Sequence, residues 1–265
     1  MAINRPAGAW SRQRLAVVLG IGAAAALLLA AGLGITLFQL VTAVRTDPVV
    51  PDDIGQVVTD RREEIAARPM GDVAQDAGFS PDPALDPAPP ILAPIATNGR
   101  GPAGVATGFP QTPEGAVAQL AAIEQAVLES MSLPVTAEVH DAWTLPGAPS
   151  CEQWEMTDNV RSFLRSGHQG GQEKDATTVV TAIPAMAMVK GTDGPDWVVA
   201  CVLLDIQVSI RTDARMGYGH CSRMQWADGR WQIAPGVAPA KAPSAWPGSV
   251  AAVEAGWLTW TEAGA

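Results

Sequence analysis

Hydrophobic positions fall into three regimes along the chain. The first is an apolar run from Leu15 to about Val44 that carries no charge. Roughly 26 usable residues at about 1.5 Å each extend about 40 Å, enough to cross a hydrocarbon layer of about 30 Å with tilt. In lipid the backbone must hydrogen-bond within the segment, which predicts a transmembrane helix over residues 15–44. Arg5, Arg12 and Arg14 precede it. The positive-inside rule then puts residues 1–14 in the cytoplasm and everything after Arg45 outside. Val41–Ala43 also satisfies the small-residue rule for cleavage of a leader. The run is longer than the roughly 7–15 residues of a usual signal core, which favours an uncleaved anchor. Gly22, Ala26, Ala30 and Gly34 recur every four residues. That spacing reads equally as a stripe for helix self-association or as chance in an Ala/Gly-rich span.

The second regime lacks periodicity. From residue 45 to 111, stretches such as PDPALDPAPPILAP and NGRGPAGVATG are rich in Pro, Gly, Ala and Asp and poor in large apolar side chains. Such a composition buries too little surface to offset its ordering entropy. The expectation is a disordered linker, with one short helical piece near DDIGQVVTDRREEIAAR. As a flexible coil its roughly 65 residues span about 45 Å.

The third regime, residues 112–236, is periodic. Thr112 is an N-cap, Pro113 fits the first helical position and Glu114 favours the positive end of the helix dipole. Ala116, Val117, Leu120, Ile123, Val127 and Leu128 follow on one helical face. A second helix after Pro134 carries Val135, Val139 and Trp143. A third starts at SCEQW with a capping-box spacing of Ser150 and Gln153, an inner stripe of Trp154, Thr157, Val160 and Leu164, and a stop at Gly167. Alternation then replaces the helical period. TTVVTAIPAMAMVK is a strand that Pro184 must break, bulge or push to an edge. In WVVACVLLDIQVSIR, Val202, Leu204, Ile206, Val208 and Ile210 face one way, and Cys201, Asp205, Gln207 and Ser209 the other, as in a sheet covered on one side. Helices followed by an antiparallel meander predict an α+β domain with helices packed on one face of the sheet.

Asp228-Gly229 is a two-residue hairpin turn. Counting outward pairs Ala227 with Arg230, Trp226 with Trp231 and Met224 with Ile233. Trp226, Met224, Trp231 and Ile233 then share a face with Tyr218, His220 and Ser222, while Cys221, Arg223 and Gln225 point away. Tyr218, His220, Trp226 and Trp231 are thus the candidates for lining a cavity between sheet and helices. A histidine on an apolar face is more often a hydrogen-bonded core residue than a catalyst, and no inward Asp or Glu is evident on the strands. Catalytic, cofactor-binding and metal-binding residues are therefore expected to be absent. His140 and His168 sit near helix ends, where exposure is expected. Residues 237–265 read as a Pro-rich tail with a short helix from Ser249. Trp246, Trp257 and Trp260 in it either dock back on the domain or anchor a partner, with docking the simpler choice.

Charge and cysteines narrow the picture. The net charge of −10, with no basic patch beyond the N-terminus, argues against nucleic acid as a partner. The three cysteines show no zinc spacing. Cys201 and Cys221 lie on strands expected to be neighbours. A disulfide forms if the hairpin register sets them opposite, and fails if the turn centres near Asp213. Cys151 is then left over.

The segments GFPQTPEGAVAQLAAIE and GHCSRMQWADGRWQIAPGVAPAKAPSAWPG, with the anchor, resemble a family of actinobacterial membrane proteins of integrative conjugative elements and plasmids. The layout is also similar to single-span scaffold proteins of type IV secretion and conjugation, whose outer domain has a nuclear transport factor 2-like (cystatin-like cone) fold, and to Mce-associated membrane proteins. The resemblance implies a single-pass protein of the cell membrane. Its extracytoplasmic domain would act as a scaffold or adaptor through contacts with other envelope or secretion-complex proteins, without a cofactor. The same cone also hosts isomerases and dehydratases, so the alternative is a cavity enzyme or small-ligand binder of that fold.

Overall fold

The computed structural model describes residues 61–97, 99–167, 170–210 and 213–262. The expected cytoplasmic tail and transmembrane helix lie outside the described residues, as does His168. Among the described residues no helix is long and apolar enough to cross a membrane.

The domain is α+β. Three helices, α1 (Pro113–Ser130), α2 (Leu133–Trp143) and α3 (Glu155–Ser166), precede the long strands β2 (Val179–Thr192), β3 (Trp197–Ser209) and β4 (Asp213–Ala227) and the short β5 (Arg230–Ile233). Two further strands, β1 (Pro90–Ala93) and β6 (Leu258–Glu262), and a one-turn helix α4 (Val250–Glu254) come from regions without a strand-like pattern. The sheet order is β1-β6-β2-β3-β4-β5, antiparallel except for the parallel β1–β6 pair.

Local signals act as the sequence predicts. Thr112 Oγ1 accepts from Gly115 N at 3.0 Å and caps α1. Ser150 and Gln153 form the capping box ahead of α3. Trp154, Thr157, Val160 and Leu164 are all buried. The sheet register slips between Pro184 and Met186, a bulge at the proline that cannot donate to the ladder. The Asp228-Gly229 turn holds both residues at positive φ, 52° and 76°, and β4 and β5 pair in the expected register. Ser209 lies opposite Asp213, so Cys201 falls opposite Cys221 and the two are disulfide-bonded.

The sheet is covered on both faces, not one. α1–α3 pack on the face of Val198, Ala200, Val202 and Leu204. The opposite face carries Trp197, Val199, Cys201 and Leu203, and is covered by residues 61–67, which are helical, and by Ala245, Ala252, Ala255 and Trp257 of the C-terminal segment. Asp205, expected to point out to solvent, is nearly buried and takes a bidentate pair of hydrogen bonds from Arg215, both at 2.8 Å. The expected tail is likewise part of the fold: Ser249 caps α4, and Trp257 is fully buried.

From residue 61 onward the expected linker is built into the domain as well. Its backbone supplies acceptors that buried side chains need. Trp143 Nε1 donates to Pro102 O at 3.1 Å and Trp231 Nε1 to Pro110 O at 2.9 Å. Buried Gln119 of α1 accepts from Thr107 Oγ1 and donates to Ala106 O. Ile65, Val105 and Phe109 are buried. Composition judged this stretch by its own apolar content. The large partners that order it sit elsewhere in the chain.

Candidate functional site

The site starts with one polar residue in an apolar helix. In α1, Leu120, Glu124 and Val127 follow one another at helical spacing on the inward side, and Glu124 has 0 % of its surface exposed. It faces His220 of β4. His220 Nδ1 and Glu124 Oε1 are 2.6 Å apart, and His220 is 8 % exposed. Glu124 Oε2 has no hydrogen-bond partner among the described residues.

Strand alternation puts Tyr218 on the same face as His220, two residues earlier. The two rings stack with centroids 6.3 Å apart and planes 10° from parallel. Tyr218 OH donates to Glu155 Oε1 at 2.9 Å and accepts from Asn159 Nδ2 at 2.7 Å. Glu155 and Asn159 are one turn apart at the start of α3, so that helix contributes a carboxylate and an amide to the same group. A continuous polar network, Glu124–His220 beside Tyr218–Glu155–Asn159, therefore runs between sheet and helices.

Electrostatics follow from burial. Desolvation raises Glu124, and His220's positive form only partly counters it. Burial alone would lower His220, but the charge of Glu124 and its hydrogen bond outweigh that, and the imidazole is raised above its usual value. Tyr218 is held protonated well above its usual range by burial first, then by the carboxylates of Glu155 and Glu124. The pair thus keeps a proton that an exposed Glu and His would have released.

A cavity of about 600 Å³ opens beside this network, between α2–α3, the middle of β4 and residues 236–244. His220 and Tyr218 line it, together with Glu155, Asn159 and Trp154. Its volume falls in the range of about 300–1,000 Å³ usual for ligand pockets. His220 Nδ1 is committed to Glu124. Nε2 has no hydrogen-bond partner among the described residues and is not among their sealed atoms, so it is the ring nitrogen available at the cavity wall.

Two of the four expected lining residues are elsewhere. Trp226 and Trp231 pack edge-to-face, centroids 5.5 Å apart, past the end of the cavity where β5 covers β4. The alternation that groups them with His220 is right about the face but does not say how far along the strand the cavity extends. His140, expected at the surface, is buried. Its Nε2 donates to Pro149 O at 2.9 Å, and its ring tilts against Trp154 at 5.5 Å.

The carboxylates missing from the strands come from the helices. A lone Glu inside GAVAQLAAIEQAVL, at the spacing of the apolar stripe, was the signal for Glu124. Glu155 carried none, because an acidic residue in a first helical turn is ordinary. Among the described residues no group of three His, Cys, Asp or Glu side chains is placed to hold a metal ion. No protein-family model matches the chain, and neither a curated protein nor a solved structure matches it.

Proposed function

We propose that the cavity binds a small polar ligand and that His220, held by Glu124, exchanges a proton with it. One observation carries this reading: a buried 2.6 Å contact fixes Nδ1 on a carboxylate and leaves Nε2 at the wall of a ligand-sized cavity. A carboxylate on Nδ1 orients the ring, selects its tautomer and raises its basicity, as general acid–base chemistry requires. Tyr218, stacked on the ring and anchored to Glu155 and Asn159, limits how His220 can turn.

Carbethoxylation tests the reading. Diethyl pyrocarbonate acylates a neutral, accessible imidazole nitrogen. Peptide mapping of the folded protein should find His220 modified, faster as pH rises. A folded protein that leaves His220 untouched while the unfolded chain reacts there means a sealed core histidine, and the reading fails.

The proposal extends to setting and fold. A membrane-anchored, extracytoplasmic domain is supported by the Cys201–Cys221 disulfide, a bond that persists in oxidising compartments. Helices followed by long antiparallel strands support a nuclear transport factor 2-like cone. A second reading, an adaptor in conjugative or type IV secretion-like machinery, is favoured by the outer edge of the sheet. There β1 is followed by loop residue Ile95, and Leu92 and Ile95 are 61 % and 57 % exposed. An apolar strand edge of this kind is a docking surface. Crosslinked membranes should yield secretion-complex subunits with the native protein and lose them with Leu92→Glu/Ile95→Glu; equal recovery removes the adaptor.

A further inference from the structure

The cavity lies where β4 loses its outer neighbour. β5 pairs only with Met224–Ala227, and one further bond runs from Ala234 N to Arg223 O at 2.8 Å. Continuing the ladder would set residue 236 opposite Cys221. Pro235 intervenes, and Gly236 at φ 117° turns the chain away. Earlier in β4, Gly217 N donates to Gly78 O at 2.8 Å and Gly219 N to Ser244 Oγ at 3.1 Å. Both glycines are needed there: a Cβ would lie 1.8 Å from Ala245 O at Gly217 and 2.5 Å from Pro243 O at Gly219.

These bonds fix the phase of the strand. Gly217, Gly219 and Arg223 turn their free backbone groups away from β3, and in an antiparallel ladder every second residue does the same. Cys221 shares that phase and lines the cavity. Its N–H finds no acceptor among the described residues. One residue of open strand edge therefore lies in the cavity wall, bounded on one side by Ser244 and on the other by Ala234.

Charge then selects among occupants. Glu155 and Asp158 of α3 bring two carboxylates to the wall, against one lysine, Lys241, on the segment of residues 236–244. Arg223 is spent on Glu63, at 2.8 and 2.7 Å, and on Val237 O at 2.7 Å. Arg161 reaches Asp158 at 3.3 Å. The indole of Trp154 adds a ring on which a cation can rest.

We infer that the ligand of this cavity is an extended, basic peptide segment. One of its residues bridges to the N–H and C=O of Cys221, and a lysine or arginine side chain is held by Glu155 and Asp158. A peptide supplies a donor and an acceptor at strand spacing, and adding a strand to an open edge is a general mode of capture. The inference rests on the cavity reading above and names its ligand.

The chain has three cysteines, so the full-length protein labelled with 15N-cysteine gives three backbone amide signals to follow. Ac-Ala-Lys-Ala-NH2 should shift the Cys221 signal and bind about tenfold more tightly than Ac-Ala-Glu-Ala-NH2 by calorimetry, a difference that Glu155→Gln/Asp158→Asn abolishes. Methylating the backbone nitrogens of the lysine peptide should remove the shift. Equal affinity for the two peptides, or an unmoved Cys221 amide, overturns the inference. If His220 is still carbethoxylated in that case, the cavity reading stands without the peptide; if it is not, both fall.

Discussion

On one face of the sheet, Leu120, Ile123 and Val127 of a long helix share a core with Val202 and Leu204. On the other, Leu203 and Trp197 share one with Ile65, Ala245, Ala252 and Trp257, residues spread over nearly two hundred positions in short helical pieces and irregular chain. The helix face is packed by periodic side chains and contains the buried polar network. The opposite face is closed by short helical pieces and irregular chain, by side-chain-to-backbone bonds such as Lys190 Nζ to Ala66 O at 3.0 Å, and by a disulfide. One side thus carries the chemistry, and the other braces the strand that presents it.

The largest expected effect tests whether the irregular face is structural. Trp257 is fully buried, and its Nε1 donates to Pro243 O at 3.1 Å. Trp257→Ala should cost about 3–5 kcal/mol in urea unfolding, like a helix-face Trp. A cost under about 1 kcal/mol would mean that residues 243–257 lie on the sheet without supporting it.

Next comes the disulfide, which closes a loop with sequence separation 20. Chain-entropy arguments put its removal in Cys201→Ser/Cys221→Ser at about 3 kcal/mol. The loss should show as a lower denaturation midpoint in the non-reduced protein only, and reductant should bring the native protein to the same midpoint.

The third effect belongs to the helix face. Glu124→Gln keeps the shape and removes the charge facing His220. The expected cost is about 1–3 kcal/mol, because an imperfectly paired polar group stays buried. Losing the carboxylate also leaves more of the imidazole neutral at a given pH without closing the cavity, so carbethoxylation of His220 should speed up in the variant.

These two faces were unequally legible in the sequence. Thr112, the Trp154–Leu164 stripe and the Asp228-Gly229 turn carry their information within a few residues, so caps, periods and register could be read locally. The pairing of Cys201 with Cys221 needed only the turn position in addition. The covering of the second face could not be read that way. Ile65 is an isolated apolar residue in a charged stretch, and its partner is a sheet formed more than a hundred residues later. β1 and β6 pair in parallel across a similar distance, which no local alternation announces. The site was half legible. His220 and Tyr218 stand out on β4, whereas Glu155 is meaningful only once α3 lies over Tyr218.

The smallest expected effect is a slope, and it separates the faces most sharply because only one of them titrates in the buried interior as a pair. Burial raises Glu124, and His220 is raised despite its burial, through the charge and hydrogen bond of Glu124. A group whose value is raised in the folded state holds its proton more tightly there. Its stabilisation is fully present below the unfolded value and is lost as pH rises through the folded one. For His220 the window opens at its ordinary 6.5 and extends upward; for Glu124 it opens at 4.5, with the same sign. Urea midpoints should therefore fall as pH rises from the ordinary histidine range upward, by at most about 1.4 kcal/mol per pH unit for one proton. Glu155 and Tyr218 face the same pair, so the slope is assigned by comparison with a variant. Glu124→Gln should flatten the slope, whereas Cys201→Ser/Cys221→Ser should lower stability equally across the range. A slope unchanged by Glu124→Gln would place the proton elsewhere and reduce the His220–Glu124 contact to core packing.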